Sequence, residues 1–193
     1  MDDFPPDKHA LRRSGLARRD ALDVARRDAA SQAIADHALT LPELDADRAG
    51  GATIAGYSPI RSEVDTLPLL GALARRGFAL ALPLVVDPHL VFLRWRHGDA
   101  LIRGAFGVSA PAPGSEVVAP DILLMPLACF DRARNRIGYG KGHYDRAIAG
   151  LTQEKPVITI GLAFTTQEAD SIPAESHDRR LDIIVTETEI LRD

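Results

Sequence analysis

The chain has 193 residues, 46% apolar and 26% charged, with a net charge of −4 and a single cysteine, Cys129. That is ordinary globular composition, long enough to bury a core without disulfides or a structural metal, and it argues against disorder, a multi-cysteine zinc site and a predominantly electrostatic nucleic-acid binder. No apolar run approaches the roughly 20 residues that cross a bilayer, and the acidic opening MDDFPPDKHA lacks an apolar targeting core. One domain over residues 1–193, in the cytoplasm, is therefore the expectation.

The first 40 residues read as helical, since Leu22, Ala25, Ala29 and Ala33 recur at spacings of three and four. Ser14-Gly15 and Asp23 are candidate breaks, so two helices are possible. Lys8 to Asp28 carries seven basic and three acidic side chains, which reads either as a solvated helix face or as an anion-facing one. The apolar run 52–57 predicts a strand ended by Ser58-Pro59. Asp65-Thr66 with Pro68 marks a helix start, and Arg75-Arg76-Gly77 its stop. Residues 78–83 and 90–95 read as further strands. Residues 103–121, rich in Gly and Pro, read as a long loop with functional potential.

ILLMP at 122–126 is continuously apolar, the mark of a strand buried on both faces. A glycine-rich loop and a short helix near 144–149 follow, then strands at 157–164 and 182–186. Strands alternating with helices predict an α/β fold, a three-layer sandwich with a largely parallel sheet covered on both faces. In such sheets ligands bind beyond the carboxyl ends of the strands, so the loops after 57, 83, 126 and 164 are the places to search.

The densest chemistry lies in residues 125–146, MPLACFDRARNRIGYGKGHYDR. Gly138, Gly140 and Gly142 alternate, flanked by Arg136 and Lys141. Three such glycines form either a flexible turn or a concavity of backbone N–H groups that binds an anion, here opening onto a helix N-terminus. The spacing is neither that of a P-loop nor that of a dinucleotide fingerprint. The chain writes its basic charge as 20 Arg and only three Lys, at 8, 141 and 155. A lysine kept in such a sequence hints that an ammonium is wanted. Lys8 and Lys141 gain interest from this, and Lys155 is assigned no role.

The stretch FDRARNRIGYGKGHYDR closely resembles the signature of the 5-formyltetrahydrofolate cyclo-ligase family. The resemblance is collinear over nearly the whole chain. Lys8 and Arg12 match an N-terminal Lys and Arg four apart; YSPIRSEVDT (57–66), GAFGVSAP (104–111) and HDRRLDIIVT (177–186) match further elements. The resemblance implies a fold like that of sugar-phosphate isomerases and CoA transferases. It also implies an ATP- and Mg²⁺-dependent closure of 5-formyltetrahydrofolate to 5,10-methenyltetrahydrofolate, with ADP and phosphate released. The formyl oxygen is a poor leaving group, and its phosphorylation lets nitrogen 10 attack the formyl carbon.

Roles carried over by the resemblance fall on matched positions. Lys8, Arg12, Arg136, Gly138, Tyr139, Gly140, Lys141, Gly142, His143 and Tyr144 would bind ATP. Ser58 and Glu63 would bind folate, with Tyr139 to His143 bordering it. Arg136, Lys141 and Glu63 would carry catalysis, and Asp145 and Asp178 would hold Mg²⁺. Asp145 also reads as an acid stabilising a helix N-terminus, and Asp182 competes with Asp178. Phe106, Phe130 and Trp95 are either core or an aromatic wall, and Cys129 reads as a core thiol.

His143 stands where the family usually has Tyr or Phe, and Lys141 where bacterial members often have Gly. The partners expected are the two small molecules, with no nucleic acid and no membrane; a monomer fits. A non-catalytic folate- or nucleotide-binding regulator, and a sugar-phosphate enzyme without ATP, are the competing readings on the same scaffold.

Overall fold

The structure, a computed structural model, describes residues 7–104, 107–173 and 178–193. The chain opens with α1 (Lys8–Asp20), capped by the Asp7 carboxylate on the Ala10 N–H, and α2 (Val24–Ala38), capped likewise by Asp23 on Arg26. The break between helices thus falls at Asp23. Gly15 lies inside α1, because a Cβ there would run into the Ala128 carbonyl. That glycine lets the helix seat directly on the strand that follows Ala128.

The remaining elements are β1 (Thr53–Ala55), α3 (Leu67–Arg75), β2 (Ala79–Val86), β3 (His89–Trp95), β4 (Ile102–Arg103), β5 (Ser109–Ala110), β6 (Ile122–Pro126), β7 (Cys129–Phe130), β8 (Arg136–Ile137), α4 (His143–Glu154), β9 (Ile158–Leu162), β10 (Ile183–Val185) and β11 (Ile190–Leu191). Seven strands form one sheet in the order β11-β10-β9-β6-β1-β2-β3. Its five inner strands run parallel, and β3 and β11 close the two edges antiparallel. The sheet is therefore mixed. β2 turns into β3 through two residues, a connection only antiparallel neighbours allow.

The period-two pleat sorts the strand residues onto two cores. Ile54, Leu80, Leu124 and Ile160 face one way and pack with Ile34 of α2 and Leu70 of α3. Ala55, Ala81, Leu123 and Met125 face the other way and pack with Ile148 of α4. Helices on both faces explain why the strands are apolar throughout. No helix among the described residues is long and apolar enough to cross a membrane.

The N-terminal ends of the strands are tied by polar pairs. Asp121 accepts the Thr53 N–H at 2.7 Å and the Lys155 ammonium at 2.8 Å. Asp182 accepts both the N–H and the hydroxyl of Thr159 at 2.7 Å, joining β9 to β10. The carboxyl ends are left for the site.

Candidate active site

From β1 the chain steps to β2 on one side; from β6 it steps to β9 and β10 on the other. A crevice opens beyond the carboxyl ends of β1 and β6, where the winding changes direction. It holds a cavity of about 620 Å³.

One wall is apolar, made by Pro83, Val85, Leu90, Val108 and Met125. The opposite wall is the loop from β8 into α4, together with the first turns of α1. Five cationic side chains, Lys8, Arg12, Arg61, Arg136 and Lys141, line the cavity against three carboxylates, Glu63, Asp145 and Asp178. That excess of positive charge suits an anionic ligand.

The glycine loop is held by α1. Arg12 Nε donates to the Gly138 carbonyl at 2.7 Å, and its guanidinium lies over Gly140. Gly140, at φ +85°, and Gly142, at φ +65° as the N-cap of α4, occupy the left-handed region that favours glycine. Gly138 is different. Among the described residues, no atom beyond its two neighbours in the chain lies within 4 Å of where its Cβ would be, and it lines the cavity.

Two ion pairs lie beside the loop. Arg136 donates to Asp145 Oδ1 and to the Arg179 carbonyl, both at 2.5 Å, and Lys8 Nζ meets Asp178 Oδ2 at 2.6 Å. Lys141 is exposed at the rim, its carbonyl accepting Arg146 Nη2 at 2.7 Å. Arg146 Nε also donates to the Pro88 carbonyl at 2.9 Å, and His143 Nε2 lies 3.4 Å from Asp87 Oδ1. The tip of the β2–β3 hairpin is thereby strapped to the start of α4, with Tyr144 half-buried behind it.

At the inner end, Glu63 is buried on the loop after β1, near Ser58. Its Oε2 accepts the Ile60 N–H at 2.8 Å and its Oε1 the Tyr139 hydroxyl at 2.7 Å. Burial pushes its carboxyl above the usual range, and the hydrogen bonds only partly offset this. Burial and the nearby Glu63 charge push the Tyr139 phenol up to about 12. Tyr57 and Tyr144 are raised in the same way, burial first, so all three phenols stay neutral.

Lys8, Arg12, Ser58 and Glu63, the residues from Arg136 and Gly138 through Tyr144, and the carboxylates Asp145 and Asp178 all line this one cavity. Asp182 does not: its carboxylate is engaged by Thr159 at the opposite ends of the strands. Trp95 and Phe130 are buried in the two cores and not in the cavity wall. Phe106 lies outside the described residues. Cys129 is fully buried, with its thiol pushed up by burial.

Arg19 and Ser62 are residues that sequence reasoning missed, as is Arg61 of the cavity lining. Arg19 is 1% exposed, and it donates to Ser62 Oγ and to the Tyr139 hydroxyl, each at 3.0 Å. The signal was present: Lys8, Arg12, Gly15 and Arg19, spaced four, three and four, form one inward helix face.

Comparison with known proteins points to one family. The model of the 5-formyltetrahydrofolate cyclo-ligase family matches residues 5–187. The chain is 33% identical to the 5-formyltetrahydrofolate cyclo-ligase of Haemophilus influenzae over 81% of this chain and 85% of that one. It is 27% identical to the enzyme of the same name from Mycolicibacterium smegmatis over 94% of each. Its fold is similar to that of Aquifex aeolicus 5,10-methenyltetrahydrofolate synthetase, with a TM-score of 0.79, 29% identity and coverage of 96% of this chain and 92% of that one.

Proposed function

The chain belongs to the 5-formyltetrahydrofolate cyclo-ligase family, and from that premise we propose how its cavity performs the family's reaction. The protein converts 5-formyltetrahydrofolate to 5,10-methenyltetrahydrofolate, in a family that depends on ATP. The observation that carries the assignment of roles is the division of one cavity: a cationic glycine loop at one end, and a buried carboxylate beside an apolar wall at the other. A triphosphate fits the first and a flat, donor-rich heterocycle the second.

In this reading the Gly138–Gly142 amides and the start of α4 receive the phosphates. Lys8, Arg12, Arg136 and Lys141 neutralise the charge that spreads over the transferred phosphoryl group. His143 and Tyr144 flank the nucleotide at the head of α4. Glu63 accepts hydrogen bonds from the pterin's amino and ring N–H groups, with Ser58 and Tyr139 beside it and the apolar wall against the rings. The formyl oxygen attacks the γ-phosphorus and ADP leaves. Nitrogen 10 then attacks the formyl carbon, phosphate departs with the oxygen, and the nitrogen's proton is lost as the methenyl bridge forms. The chain's work is alignment and charge neutralisation, with no covalent nucleophile.

Asp145 and Asp178 are hard oxygen donors lining the cavity beside the cationic loop, which suits Mg²⁺, an ion that takes one or two carboxylates together with phosphate oxygens. Bound there it would neutralise phosphate charge, and the two carboxylates are each paired with a cation of the site, Asp145 with Arg136 and Asp178 with Lys8. The three-layer, isomerase-like description of the fold belongs to this same reading.

The test is to mix protein, 5-formyltetrahydrofolate and MgATP and to follow the near-ultraviolet absorbance of the methenyl product. Growth that requires both ATP and Mg²⁺ supports these roles. A flat trace from folded, ATP-binding protein overturns them.

A further inference from the structure

Arg19 is the largest of the fully buried side chains, and the reaction as described does not use it. Burying a guanidinium is costly unless its donors are satisfied. Two of them are placed: Nε on the Ser62 hydroxyl, and Nη1 on the Tyr139 hydroxyl. Ser62 in turn donates to Asp20, whose carboxylate also lies 3.8 Å from Arg19 Nε.

The donor count sets a direction. An arginine has no acceptor, so the Tyr139 oxygen must accept from it. The phenol then has one hydrogen to place, and Glu63 Oε1 lies 2.7 Å away. Glu63 Oε2 already accepts the Ile60 amide, which is a donor only. Both carboxylate oxygens thus face donors. Without Arg19 the phenol is free to turn round and accept from a protonated Glu63.

We infer that Arg19 is a positioning residue for the folate end of the cavity: it holds the Tyr139 hydroxyl as a donor, so that Glu63 is presented as an ionised, oriented acceptor. This rests on the folate assignment of Glu63 above. It adds a determinant of substrate affinity that lies on α1, touches no substrate and reaches the site through one hydroxyl.

The groups that face Glu63 bear on its charge. Arg19 on α1 and Arg61 on its own loop favour the carboxylate. Burial opposes it, and the Tyr57, Tyr139 and Tyr144 phenols stay neutral around it. Removal of Arg19 therefore moves the protonation of Glu63 to higher pH, and with it the acid limb of folate affinity.

The experiment measures the KM for 5-formyltetrahydrofolate and for ATP separately, across pH, in Arg19→Gln, Tyr139→Phe, the double variant and Glu63→Gln. Arg19→Gln is expected to raise the folate KM on the order of tenfold with the ATP KM within about twofold, and Tyr139→Phe to raise the folate KM to a similar extent. The acid limb of the folate profile moves to higher pH in both. The double variant is no worse than the worse single, because the effect passes through one hydroxyl.

Arg19→Lys keeps the buried charge but cannot reach Ser62 and Tyr139 together, so it rescues part of the loss. It also decides the matter, with Tyr139→Phe, if Arg19→Gln does not fold. A folded Arg19 variant with an unchanged folate KM, parallel rises in both KM values, or additivity in the double variant overturns the inference. If Glu63→Gln raises the folate KM while Arg19 variants are silent, only the positioning role falls. If Glu63→Gln leaves that KM unchanged, the folate reading falls and takes the inference with it.

Discussion

Lys8 and Asp178 meet at 2.6 Å although 170 residues of chain separate them. The contact ties the start of α1 to the segment before β10 at the rim of the cavity. Both side chains are about a quarter exposed, so the pair contributes at most about 1 kcal/mol to stability; in the proposed reading its role is toward the ligand. Asp178→Asn is expected to leave the melting temperature nearly unchanged. It should raise the Mg²⁺ concentration needed for half-maximal rate and lower kcat/KM for ATP about tenfold or more. Asp182→Ala, which loses two hydrogen bonds to Thr159, should do the reverse: a stability loss of about 1–2 kcal/mol with the Mg²⁺ requirement intact. Thermal melts and a Mg²⁺ titration of both variants check this pair.

Gly138 and Gly140 are two residues apart and should fail differently. Gly138→Ala meets no atom of the described residues beyond its neighbours in the chain, so the fold should hold while the ATP KM rises on the order of tenfold, as a methyl group enters the space proposed for the phosphates. Gly140→Ala places a side chain at φ +85° and against the Arg12 guanidinium. It should lower stability by about 1 kcal/mol and weaken ATP binding as well. Melting curves beside ATP KM values separate the two.

Glu63→Gln should raise the folate KM and leave the ATP KM near its starting value. In the unmodified protein burial sets the Glu63 carboxyl above its usual range. Folate affinity should therefore fall, on acidification, at a higher pH than an exposed glutamate would give. In Glu63→Gln this limb disappears, since the amide does not titrate. Folate KM as a function of pH is the measurement; a rise in the ATP KM alone would contradict the assignment.

Lys155 has a structural task at the far end of the sheet, where Asp121 bridges it to β1. Burial pushes the Asp121 carboxyl up, but the Lys155 ammonium and the Thr53 N–H outweigh it and hold the carboxyl below its ordinary value. A depressed folded-state value stabilises above the unfolded value, and this stability is lost as the pH falls through the folded one. Asp121→Asn should lower the melting temperature at neutral pH by a few degrees at most. The gap to the unmodified protein should close in acid, and kcat and both KM values should stay the same.

Much of this architecture was legible in residue patterns. The apolar run 122–126 predicts a doubly buried strand, and β6 has those bounds. Asp23, read as a break between two helices, caps the second of them. The alternating glycines with Arg136 and Lys141 mark the loop that lines the cavity. These signals are local: pleat, helical turn and cap each act over a few residues, so they survive in a linear text. The two-residue strands β4, β5, β7, β8 and β11 left no such trace, being too short to show a period.

What the sequence determined by itself was therefore the alternation of elements, the family resemblance and the set of residue types able to meet phosphate and folate. The tertiary structure decided which of them meet. Asp178 and Asp182 look alike along the chain, but only Asp178 lies at the cavity, because Asp182 precedes β10 at the amino ends of the parallel strands. Arg19 looks like one more cation on a basic helix, yet it is buried against a tyrosine 120 residues away. Burial and hydrogen-bond direction depend on neighbours brought from distant parts of the chain, and folding is the step that supplies them.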